Sequence, residues 1–174
     1  MKPEVTADDW ARNFARQADA DLRAFELYEK YPDALAAECH KLLFLQMACE
    51  KLCKAFVLNA KVHPIEDVQS SHGFVKKHLP TIVKQEMSYG RQDFERLRWA
   101  YEKIRLLARE IEVLNPSMDH DQRPENCEYP WKSGSDIQSP LDWNFEASRL
   151  LTLPAGRTFL KILRPAINRM LDIL

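Results

Sequence analysis

The sequence predicts an all-α protein: an up-and-down helical bundle, a long packed loop and a C-terminal helix. Two observations carry this. Long segments repeat apolar residues at spacings of three and four, and no run alternates apolar with polar residues over the length of a strand. The length of 174 residues suits a single domain. It divides into a helical core over 8–114, a loop extension over 115–153 and a helix over 154–174.

The first helix is expected from about Asp8 to Lys30. Thr6 is its N-cap, and Asp9 three residues on completes a capping box of the Asp kind. Trp10, Phe14, Ala18, Leu22 and Phe25 form its inward face, and Tyr31-Pro32 ends it. The second helix, about Asp33 to Lys61, carries two adjoining stripes. Leu42, Leu45, Cys49, Leu52 and Phe56 form one; Cys39, Leu43, Gln46, Cys53 and Val57 form the other. So broad a stripe implies burial on more than one side, and hence a central helix. His63-Pro64 breaks the chain, and a loop is expected to Ser71.

From His72 to about Met87 the pattern gives one helix, or two broken near Leu79-Pro80. Gly90 marks a turn. Phe94, Leu97, Tyr101, Ile104, Leu107, Ile111 and Leu114 then trace an amphipathic helix from Gln92 to Leu114, stopped by Asn115-Pro116. Residues Asn115 to Pro140 lose the helical period, yet Tyr129 and Trp131, with Trp143 and Phe145 beyond, predict a loop packed on the body. Pro154 opens the last helix.

Four glycines remove the clustered-glycine loops that cradle phosphates. The N-terminus does not read as a secretory signal, and the apolar runs are too short to span a bilayer. Cys49 and Cys53 lie one helical turn apart, and free buried thiols in a reducing cytoplasm are expected. No paired Cys-x-x-Cys accompanies them, so no metal site and no cofactor are expected.

The run Leu42-Leu43-Phe44-Leu45-Gln46-Met47-Ala48-Cys49-Glu50-Lys51-Leu52-Cys53-Lys54-Ala55-Phe56 resembles the second helix of HEPN domains. That helix often reads apolar-Gln-x-Ala-x-Glu-Lys-x-x-Lys-Ala. Ser71-His72-Gly73-Phe74 matches the His that opens the family's next helix, and the resemblance covers roughly Trp10 to Leu114. It implies a four- or five-helix bundle, a homodimer, and association with nucleotide or RNA, in a defence or toxin–antitoxin type of system. The family's ribonucleases place a His four to six residues after an Arg. No Arg in this chain is so followed; His120, for instance, lies eleven past Arg109. The reading is therefore a non-catalytic module. A ribonuclease with a rearranged site, and a protein-interaction module using the aromatic loop, are the alternatives.

The net charge of −1 conceals blocks: −4 over 1–40, +3 over 41–87, +1 over 88–114, −5 over 115–148 and +4 over 149–174. Lys51, Lys54, His72, Lys76, Lys77 and Arg157 are the candidate ligand-binding residues, with the ammonium groups of Lys54 and Lys76 expected to be exposed. The competing explanation is a solvated basic face covered by the acidic 115–148 loop. Glu50, among apolar neighbours, either pairs with Lys54 or becomes a site carboxylate.

Overall fold

Thr6 caps α1 (Ala7–Lys30) as the sequence predicts: its Oγ1 accepts from the Asp9 N–H at 3.2 Å, and the Asp9 carboxylate accepts from the Thr6 N–H at 2.9 Å. The computed structural model describes residues 5–31, 37–89, 94–119 and 121–174, without the side chains of 94–97. Pro32, the expected helix starts at Asp33 and Gln92, the Gly90 turn, His120, and the side chains of Phe94 and Leu97 lie outside the described residues. The buried face of α1 is Ala11, Ala15, Ala18, Leu22 and Phe25. Trp10 and Phe14 flank it, half-buried, where inward positions were expected. The alanines, having no bulk beyond Cβ, let the neighbouring helix approach closely.

That neighbour is α2 (Glu38–Asn59), buried on nearly every side and packed against α1 and against four helices that follow it in the chain. Its broad apolar surface is covered by these neighbours, as expected of a central helix. A short helix, α3 (Ile65–Ser70), occupies the expected loop; at six residues it shows no periodicity. α4 (Val75–Tyr89) runs through Pro80 without a break, and His72 precedes it. α5 (Phe94–Glu112) turns Ala100, Ile104, Leu107, Ala108 and Ile111 inward.

Beyond α5 the structure departs from a simple loop. β1 (Trp131–Ser133) and β2 (Asp136–Gln138) form an antiparallel hairpin pairing Trp131 with Gln138. Gly134 turns it at φ +62°. Strands of three residues carry too little alternation to be read. α6 (Glu146–Thr152), also unforeseen, leads into α7 (Pro154–Ile173), whose start at Pro154 follows expectation. Gly156 is required at their corner, because a Cβ would collide with the Leu150 carbonyl oxygen and the Leu151 Cα.

Trp131 and Phe145 are buried in the core, and Trp143 meets Trp131 edge-on at 5.3 Å. Tyr129, expected to pack, is 60% exposed. Of the acids in 115–148, Glu146 pairs with Arg149 of the basic C-terminal block. Other acids that meet the basic blocks come from α1: Asp21 binds Lys51 at 2.6 Å, Glu29 binds Lys41 at 2.8 Å, and Asp19 and Glu26 hold Arg164. The architecture is all-α apart from the hairpin. Among the described residues no helix is long and apolar enough to cross a membrane.

Candidate functional site

Gln46, Glu50 and Lys54 stand four residues apart on α2, which stacks their side chains along one face. That face is buried. An isolated carboxylate there would be costly, and the chain meets the cost with four donors. Glu50 Oε1 accepts from Lys54 Nζ and lies against His72 Nδ1, both at 3.0 Å. Oε2 accepts from Gln46 Nε2 at 2.8 Å and from Asn115 Nδ2 at 3.1 Å. Burial pushes the Glu50 carboxyl up, but the Gln46 hydrogen bond, the Lys54 ammonium and the His72 ring outweigh it and leave the carboxyl below its ordinary value.

The second lysine of the motif is thus buried, 5% exposed, with its ammonium also 5.6 Å above the Phe14 ring. The expectation of an exposed Lys54 is wrong because the carboxylate that neutralises it sits one turn earlier on the same inward face. Lys51, on the neighbouring face, reaches Asp21 on α1, and both side chains are half-buried.

His72 lies at the rim of this network with its side chain 40% exposed. A carboxylate accepts only, so the ring meets Glu50 through an Nδ1–H, and the Asn115 amide nitrogen lies 3.3 Å from the same ring nitrogen. Asn115 Oδ1 accepts from the Ser117 N–H at 2.9 Å, which fixes the amide orientation that donates to Glu50.

One turn past His72, Lys76 meets a second buried acid. Glu112, 1% exposed at the end of α5, accepts from the Lys76 backbone N–H at 3.1 Å and from its ammonium at 3.2 Å. The carboxylate therefore caps the first turn of α4, where the helix dipole favours negative charge. The Lys76 side chain remains half-exposed and enters a groove of about 450 Å³ with Glu102, Lys103, Arg105, Leu106 and Arg109. Arg105 pairs with Glu102 at 3.2 Å; among the described residues Lys103 and Arg109 have no ion-pair partner.

The six candidates therefore do not converge as a set. His72 and Lys76 share one end of the site, and Lys77 is exposed beside them. Arg157 lies at the α6–α7 corner, donating to the Thr152 carbonyl at 3.0 Å and lining a different groove with Glu29, Glu38 and Lys41. From Lys41 to Glu50 is about 14 Å along α2. Gln46, Glu112, Asn115 and the α5 cations were not read as site residues. The four-residue spacing of Gln46, Glu50 and Lys54 was a visible signal, whereas Asn115 read as a helix stop.

All four cysteines are free and buried. Burial pushes the Cys49, Cys53 and Cys127 thiols up, which disfavours the thiolate that nucleophilic or metal chemistry needs. Among the described residues no group of three His, Cys, Asp or Glu side chains is placed to hold a metal ion. No family model, curated protein or solved structure matches the chain.

Proposed function

We propose that the chain is a non-catalytic, HEPN-like module that binds the phosphates of a nucleotide or RNA in the groove between α4 and α5. The carrying observation is the pair of cations without an ion-pair partner among the described residues, Lys103 and Arg109, beside the half-exposed Lys76 in one concavity. Guanidinium and ammonium groups in a concave surface suit phosphate oxygens, through charge-assisted hydrogen bonds. The HEPN resemblance gains support from the network, since the motif's Gln46, Glu50 and Lys54 meet His72 in one place. On this reading the motif is internal scaffolding, and α5 presents the ligand surface.

Fluorescence anisotropy with a labelled RNA oligomer, competed by nucleotides at low salt, tests the proposal. Binding should weaken with salt, and Lys103→Ala with Arg109→Ala should lower both affinity and slope, by about 0.7 in slope per lost contact on a single strand. Absence of binding to RNA and nucleotides at low salt would refute it.

A second reading, a ribonuclease with a rearranged site, is favoured by one observation. His72 is oriented by the Glu50 carboxylate through Nδ1, and its ring is 40% exposed, so it can reach a substrate. RNA hydrolysis in the presence of chelator, abolished by His72→Ala and kept by Lys132→Ala on the exposed hairpin, would establish it in place of the first.

A further inference from the structure

Trp99 projects from α5 with 54% of its surface exposed, although large aromatics usually lie mostly buried. It precedes Lys103 by one turn and Leu106, 44% exposed, by two. At 100° per residue these three fall on one arc of the helix, and Glu102 and Arg109 border it. The outer face of α5 thus presents an indole and a leucine beside cations, and Lys103, Leu106 and Arg109 of that helix also line the groove that Lys76 enters.

We infer that Trp99 is a base-stacking platform, and that the ligand of this face is a single-stranded nucleic acid. The inference rests on the phosphate-binding reading and adds what lies beside the phosphates. An indole face accepts any nucleobase by stacking, while the cations track the backbone. A duplex hides its base faces, so an exposed indole has no use for one. From Trp99 to Arg109 is about 15 Å along the helix, and stacked nucleotides advance about 3.4 Å each, so about four fit. An acidic peptide would satisfy the cations but gives the indole no planar partner.

The experiment compares a labelled single-stranded oligonucleotide, an abasic oligomer of the same phosphate count, the matching duplex and a polyglutamate peptide. The proteins are wild type, Trp99→Ala, Trp99→Phe and Lys103→Ala with Arg109→Ala. Wild type should favour the base-bearing single strand, and Trp99→Ala should weaken that binding about tenfold. Trp99→Ala should leave the salt slope unchanged, because stacking releases no counterions. Trp99→Phe should recover most of the affinity. Salt-dependent binding that is equal for abasic and base-bearing strands, and unaffected by Trp99→Ala, would overturn stacking and leave phosphate binding intact. Polyglutamate binding that depends on Trp99 and equals that of the oligonucleotide would overturn the nucleic-acid assignment in favour of an acidic protein. Loss of all binding in wild type would remove both readings together.

Discussion

Lys54 and Lys103 are the same residue type in opposite circumstances. Lys54 is enclosed, and its ammonium has a carboxylate at 3.0 Å and an aromatic face above it. Lys103 faces the groove with no ion-pair partner among the described residues. The contrast extends to their settings. Both oxygens of Glu50 meet donors, whereas the α5 face holds Lys103 and Arg109 without an ion-pair partner among the described residues. The difference follows from solvent. An unpaired charge in the interior costs several kcal/mol, so burial enforces pairing. Water solvates a surface ammonium well, so leaving it unpaired costs the fold little and keeps it available for a ligand. Charges that hold the helices together and charges that meet a partner are thereby separated.

The sharpest way to break this contrast is Glu50→Ala, which strands the Lys54 ammonium in the interior. A loss of about 3–5 kcal/mol is expected in urea unfolding. A loss below about 1 kcal/mol would show that the network is not needed for stability. The same carboxylate sets an acid limit. Its folded pKa lies below its unfolded value of about 4.3, so its stabilisation is fully present above that value and fades as pH falls through the folded one. Glu50→Gln should therefore flatten the acid end of the stability–pH curve, and an unchanged curve would argue against the pairing.

Asn115→Ala should cost less, about 1–3 kcal/mol, because Glu50 Oε2 keeps its Gln46 donor; thermal or urea melts resolve that range. Lys51→Ala, which removes a part-exposed pair with Asp21, should cost at most about 1 kcal/mol by the same measurement. Lys103→Ala with Arg109→Ala should change stability by about 0.5 kcal/mol or less while lowering anisotropy-measured affinity for RNA. Thermal destabilisation by that last pair as large as that of Glu50→Ala would erase the distinction between the two clusters.

Legibility in the sequence follows the length and chemistry of each signal. The Thr6–Asp9 box and the periodicities of α1, α5 and α7 were readable because they are local and long. α3, α6 and the hairpin were not, since three to seven residues hold fewer than two periods. The site divides in the same way. That Glu50 pairs with Lys54 followed from their spacing, but that His72 and Asn115 also converge on it depends on the packing of α4 and α5 against α2. Lys51 and Lys54 looked equivalent on a helix wheel broad enough to be apolar almost all round. Only the position of α1 decides that Lys51 takes Asp21 while Lys54 turns inward. Arg157 was grouped with the others by sign of charge, and charge alone carries no distance.

The sequence separations within the Glu50 network bear on the order of events during folding. Gln46 lies four residues from Glu50, while His72 is 22 away and Asn115 is 65 away. The first contact forms as α2 winds; the last waits for a long loop to close. Until then the carboxylate keeps part of its water, so its dehydration belongs to the late, downhill side of the barrier. Asn115→Ala should accordingly speed unfolding and leave the refolding rate nearly unchanged in stopped-flow chevrons. A slowed refolding arm would place closure of the network before the barrier, with α5 already docked in the transition state.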